Sequence, residues 1–265
     1  MKQLRTYLPG IIFLLCMSCV QSGERISDNT SLPSWIDATA GFFESERALR
    51  GDTITLSRHY FLRLHLLAEV RRCYGDRDAH ISLSGTPAAV MQMMTRHGAL
   101  TDNAYRPRHR RVNCQVLARK VETAVRSSHS ADEAEQRAAD IIDATIEYMP
   151  RMVFMFGAEY TPLEYAHSIA LESDYQWVTT PPVDGWASLL RQAGHAVWYG
   201  RAPHSFAKKT GTQGEGDSLS LHIKGTDSSG DTFLVASDSI ADNAIKASWV
   251  NKNTLGIFVK KDLTP

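Results

Sequence analysis

The apolar positions of this chain change period part-way along it. Up to about residue 148 they recur at helical spacing. Beyond Pro150 they fall mostly into short runs and alternations that read as strands. The strongest helical pattern is the stretch SWIDATAGFFESE, residues 34–46. Ile36, Ala40 and Phe43 form one stripe, and Trp35, Ala38 and Phe42 the next, so the expected helix is buried on most sides. Ser34 stands at an N-cap position with Asp37 three residues on, close to a capping box. Gly51 and Asp52 end this helix. A second starts at Leu56 and Ser57, with Tyr60, Phe61, Leu64, Leu67 and Ala68 as its apolar face. A third starts with Thr86 as N-cap and Pro87 at the first helical position. Its core stripe is Ala89, Val90, Met93 and Met94, and Gly98 closes it. Two more helices are expected near 112–127 and 131–148, the second capped by Ser130.

After Pro150 the pattern predicts a strand over 151–156, then a helix with Thr161 as N-cap and Glu164 at the capping-box position. A short helix over 184–193 and a strand over 194–200 follow. A Gly-rich polar loop spans 208–216. Strands are expected near 219–226 and 231–237, joined by a turn at 227–230, with a last strand near 255–261. The fold class implied is α+β, without internal repeats or low-complexity segments.

The first 19 residues stand apart from this pattern. Lys2 and Arg5 flank a basic start, and residues 11–17 form an apolar core too short to span a bilayer. Ser18 and Cys19 then read as a loose lipobox, which makes 1–19 a lipoprotein signal peptide and Cys19 the lipid-bearing residue. Residues 20–30 are polar and read as a tether. The expected location is the bacterial cell envelope, lipid-anchored in the periplasm or at the outer-membrane surface; ordinary secretion with cleavage nearby is the alternative.

Charge adds little. The chain carries 29 basic and 29 acidic residues, so no nucleic-acid partner is implied. The basic run at 106–111 is too short, and too poor in aromatics, to change that. Cys73 and Cys114 remain after the signal peptide. An oxidising envelope would allow them to form a disulfide, and two buried thiols are the other reading. No metal-ligand spacing and no cofactor motif is present. Glu215 and Asp217 sit in the polar loop without His or Cys at ligand spacing and read as solvated.

The ordered motifs resemble one family. Trp35, Ala38 and Phe43-Glu44-Ser45-Glu46 are similar to the nucleophile segment of papain-like cysteine peptidases, in the branch of bleomycin hydrolase and aminopeptidase C. There a Cys-Trp pair opens a buried central helix. Leu56-Ser57-Arg58 followed by Tyr60, Phe61 and Arg63 resembles the next family helix. So do His97-Gly98, Ala104-Tyr105, Thr161-Pro162-Leu163-Glu164-Tyr165-Ala166, and the strand opened by Gly194 and His195. The resemblance runs in order from about Ser34 to the C-terminus. It implies a papain-like two-lobe fold: a helical lobe with a buried central helix at 31–150, a β-rich lobe at 151–265, and a cleft between them.

The same resemblance implies where the chemistry would sit. Such a peptidase needs a thiolate, a His base, an orienting Asn and an oxyanion donor. The nucleophile position falls on Ser34. The oxyanion Gln position falls on Asp28, whose carboxylate would repel an oxyanion. Matching Leu221-His222-Ile223-Lys224-Gly225 to the family's His strand places the base at Leu219. His222 then takes a second, non-catalytic position on the opposite strand face. The Asn falls on Ser237, or on Asp238 with a one-residue slip. None of the four functional positions keeps its residue. Ser34 reads either as a helix cap or as a nucleophile with a relocated base, for which His195, His204 and His222 are the available imidazoles. The expectation is a peptidase homologue without its Cys-His-Asn triad, binding a peptide or protein in the inter-lobe cleft. The alternative is a residual hydrolase or acyltransferase built on Ser34.

Overall fold

The computed structural model describes residues 32–76, 78–107, 111–155, 157–201, 218–236 and 244–261. Cys19, Asp28, His204, Glu215, Asp217, Ser237 and Asp238 lie outside the described residues. The fold is α+β. Five helices come first: α1 (Ser34–Ala48), α2 (Arg58–Cys73), α3 (Pro87–His97), α4 (Cys114–Arg126) and α5 (Ala131–Thr145). A hairpin of β1 (Val153–Met155) and β2 (Ala158–Tyr160) leads into α6 (Pro162–Ile169). Then come β3 (Tyr175–Val178), α7 (Trp186–Ala193), β4 (Ala196–Arg201), β5 (Ser218–Thr226), β6 (Thr232–Val235) and β7 (Ala244–Lys246). A helix α8 (Ala247–Asn253) and the strand β8 (Thr254–Lys260) close the described chain. No described helix is long and apolar enough to cross a membrane.

Strands β3 to β8 form one antiparallel sheet in the order β3-β8-β4-β5-β6-β7. Side chains alternate across it, as the strand pleat requires. Val197 and Phe258 face a core shared with α1, whereas Trp198, Leu221, Ile223, Phe233 and Ile257 face a second core under α7 and α8. The sheet is thus covered on both faces, which explains why β5 is buried at five successive positions, 219–223. The first core takes residues from both sides of Pro150, including Val153, Tyr165 and Ala166. Helix α1 lies between α2, α3 and the sheet. Ile36, Ala40, Phe42 and Phe43 are sealed from solvent, and the two Phe rings meet Tyr175 and Phe258 edge-on.

Several expected helix signals are realised. Ser57, Ser130 and Thr161 cap α2, α5 and α6 by accepting the backbone N–H three residues on, and Thr161 with Glu164 forms a full capping box. Thr86 stands at its predicted N-cap position but makes no side-chain cap bond. On α2 Tyr60 and Phe61 are buried as predicted, but the face then runs through Leu62, His65, Leu66, Val70 and Cys73, offset from the predicted Leu64, Leu67 and Ala68. That stretch is apolar on several sides, and its periodicity does not choose among them; packing against α4 and α5 does. Helix α5 ends at Thr145, three residues short of the expectation. Strands β3 and β7 and helix α8 were not expected. They are three to seven residues long and carry too few turns for a period to show. Cys73 and Cys114 are both free and buried. Burial pushes the Cys114 thiol up to about 11, so it stays protonated near neutral pH.

Candidate functional site

The site is built where α1 crosses β5. Ser34 is the first residue of α1, and Pro33 occupies the N-cap position. With helical backbone angles, Ser34 cannot turn its hydroxyl back onto the first-turn N–H groups, so the expected cap is absent. Instead Ser34 Oγ accepts a hydrogen bond from Ser220 N of β5 at 3.1 Å. The hydroxyl is a strut between helix and sheet. Asp37 serves no capping box either; it pairs with Arg58 at 3.1 Å. Removing the strut by Ser34→Ala orphans the Ser220 N–H, and we expect a loss of about 1–2 kcal/mol in a urea titration.

Leu219, the position implied for the base, is buried in the second core with Trp198 and Leu221. Strand alternation turns Ser220 and His222 toward α1 and Leu219 away from it. Among the described residues no histidine nitrogen is hydrogen-bonded to the Ser34 hydroxyl. Nor could any group of three or more His, Cys, Asp or Glu side chains there hold a metal ion.

The two histidines flagged singly in the sequence, His195 and His222, come together more than a turn along α1. His222 Nε2 stands 2.7 Å from His195 Nε2, and His195 Nδ1 stands 2.9 Å from Glu46 Oε1. Phe42 stacks on the His195 ring at 4.9 Å and meets the His222 ring edge-on, fixing both planes. The chain Glu46–His195–His222 therefore runs from the last turns of α1, across the start of β4, to the middle of β5. It is largely enclosed: His222 is 2 % exposed, and the His195 and Glu46 side chains 14 % each.

Hydrogen-bond logic restricts the protons on this chain to two arrangements. With His195 neutral, its Nδ1–H donates to Glu46 and its Nε2 accepts from His222 Nε2–H. The other nitrogen of His222, Nδ1, is then a bare acceptor. With one more proton, His195 donates from both nitrogens, and His222 carries its proton on Nδ1 as a donor. The His195 hydrogen bond holds the Glu46 carboxyl below the usual carboxylate range. Burial, then the charges of His195 and Lys224, push His222 down to about 3, so His222 itself stays neutral.

His222 lines a groove of about 380 Å³ that runs along α1 past Gly41, Glu44 and Ser45. Gly41 lies directly beneath that ring: a Cβ there would stand 3.4 Å from His222 Nδ1. Arg58 forms the far wall. It grips Glu44 through both terminal nitrogens, while Leu56 N donates to Glu44 Oε1 at 2.6 Å. Lys224, two residues beyond His222 on the same strand face, reaches the groove from an exposed position.

No protein-family model and no curated protein matches this chain.

Sequence reasoning singled out Ser34, His195 and His222 but joined none of them correctly. The resemblance paired Ser34 with position 219, and the structure pairs it with the backbone of Ser220. Glu46 appeared only as the last residue of a helical motif. The signal that could have joined the three is strand register. Once Val197 stands opposite His222, His195 must lie beside that ring.

Proposed function

We propose that this chain is a papain-like peptidase homologue, of the bleomycin hydrolase and aminopeptidase C type, that no longer cleaves and instead binds a peptide or protein at the cell envelope. The lipid anchor is Cys19. The observation that carries this reading is the fate of Ser34. At the helix start where the family holds its thiolate, the hydroxyl accepts from a strand N–H and has no imidazole hydrogen-bonded to it among the described residues. A serine hydroxyl is essentially un-ionised near neutral pH and needs an adjacent base to attack a carbonyl. A buried helix lying against an antiparallel sheet, in a chain whose helical half comes before that sheet, is the architecture that the resemblance implies, so it supports retention of the scaffold. Retained packing with replaced catalytic residues favours binding over turnover.

The test is incubation of the protein, freed of residues 1–19, with a mixed peptide library beside its Ser34→Ala variant, read by mass spectrometry. We expect neither to cleave, and both to retain the same subset of peptides on a column. Cleavage by the unmodified chain alone would overturn the reading. It would make Ser34 a nucleophile served by a base from outside the described residues.

A further inference from the structure

We propose that the solvent-facing stripe of α4 is the surface by which the anchored protein lies against an anionic bilayer, with Arg119 and Lys120 as its central contacts to lipid phosphates. The choice of a bilayer as the occupant rests on the anchored reading of Cys19 above. The stripe itself is a feature of the fold.

The first observation is a charge asymmetry. The whole chain is balanced at 29 basic and 29 acidic residues, yet residues 106–126 hold seven Lys and Arg and one Glu. The fold gathers part of that excess on one face. Val116, Arg119, Lys120, Thr123 and Arg126 recur at three- and four-residue spacing along α4, and all five are exposed. Leu117, Ala118, Val121 and Val125 form the opposite, buried face. Arg119 and Lys120 have no carboxylate partner among the described residues. Glu122, the single acid of α4, is already engaged: it accepts from Ile81 N at 3.1 Å and pairs with Arg126 at 2.9 Å. Lys120 also borders a recess of about 540 Å³ between α4 and α5, shared with Arg137 and Asp140. Arg137 is paired with Glu133, so Asp140 is the one acid there that no cation neutralises. Arg119 and Lys120 outweigh it, and Arg106 and Arg111 stand exposed in the segment that leads into the helix.

The shape of this feature fits a plane better than a compact ligand. Its cations are spread along one helix face, so a flat surface meets them together and a small anion meets only one or two. Each Lys or Arg near an anionic lipid surface is attracted to it, and the attraction decays within a Debye length. Val116 is the apolar member of the stripe and reaches the boundary between headgroups and acyl chains when the helix lies flat. The third observation is reach. The chain between Cys19 and Leu32 spans at most about 45 Å. Trp35 Nε1, at the start of α1, donates to Leu83 O at 3.0 Å, and Ile81 N donates to Glu122 of α4. The start of α1 and the middle of α4 therefore flank one short segment, within about 25 Å of each other along that path. A membrane holding the lipid on Cys19 is thus within range of the stripe.

The test is co-sedimentation with vesicles of phosphatidylcholine alone, or with one-third phosphatidylglycerol. The chain freed of residues 1–19 is used, because the described fold starts at residue 32. We expect binding to the anionic vesicles only, lost between about 50 mM and about 500 mM salt. Arg119→Glu with Lys120→Glu should weaken it at least about tenfold. Lys246→Glu with Lys252→Glu makes the same charge change at exposed positions outside α4, and should weaken it less than about threefold. Equal binding to both kinds of vesicle, no binding to either, or equal losses in the two double variants each overturns the proposal. Displacement from the vesicles by poly-glutamate at matched charge also overturns it, and would assign the stripe to a soluble acidic polypeptide. Palmitate labelling of the full chain beside Cys19→Ala decides the anchor separately, and the peptide library decides the peptide-binding reading.

Discussion

Replacing Gly98 by alanine is expected to destabilise the fold by about 4 kcal/mol, the sum of a backbone and a steric contribution. Gly98 ends α3 with φ +89 and ψ −164, a combination that L side chains rarely adopt. A Cβ there would stand 2.2 Å from the carbonyl carbon of Pro162 and 2.3 Å from its oxygen. Both are backbone atoms of the first turn of α6, so they cannot swing aside as a flexible side chain would. The neighbouring contacts hold the joint closed. Ala99 N donates to Pro162 O at 2.9 Å, and Tyr60 Oη donates to His97 O at 2.7 Å. Relief of the clash would require α3 and α6 to separate, exposing Tyr165 and Met94. A urea titration should show a large fall in midpoint with little change in slope. Gly75, also at positive φ but with open space around it, serves as the control. Alanine there should cost only the backbone contribution, about 1–2 kcal/mol.

Glu44→Ala is expected to cost about 3 kcal/mol, because it orphans a backbone N–H and removes the two-pronged partner of a partly buried guanidinium. The Glu44 carboxylate accepts Leu56 N at 2.6 Å and holds Arg58 at both terminal nitrogens. Both side chains of the pair are less than a quarter exposed, so solvent screens their attraction only in part. Removing the carboxylate leaves a partly buried guanidinium with only Asp37 and Leu56 O as partners, and it orphans a backbone N–H in the linker that leads from α1 to α2. Arg58→Met alone should cost less, since it leaves only the carboxylate to find water in the groove. The double variant Glu44→Ala with Arg58→Met should be more stable than the sum of the single losses predicts. Strict additivity in that cycle would mean that the pair does not act as a unit. Glu44→Gln should recover part of the loss, because its carbonyl can still accept Leu56 N.

These two residues mark different depths of legibility. Gly98 was readable as a helix stop from sequence, since a Gly after an apolar helical run is the usual C-terminal signal. Its contact with Pro162, 64 positions later, was not. Glu44 was readable only as part of a motif, and its partners come from the following linker and helix. Local signals fared best where one short window contains the whole cause. The capping box of Thr161 and Glu164 needs four residues, and the caps of Ser57 and Ser130 need the same. The Ser34 signal misled because the same window is compatible with Pro33 as the cap, and the choice depends on the strand that approaches from β5.

The sequence by itself determined the helical first half and the sheet-rich second half, because hydrophobic period is a local property of a dozen residues. It also determined that α1 would be buried, since Ile36, Ala40, Phe42 and Phe43 leave no adequate polar face. Only the tertiary structure decided which ends meet. It placed Ser34 against Ser220, turned Leu219 to the far side of the sheet, and aligned Glu46, His195 and His222 into one hydrogen-bonded chain. Those contacts span up to 186 positions and rest on the register of β4 against β5. A one-residue change of register exchanges the two faces of a strand, and nothing in a local window distinguishes the two alternatives.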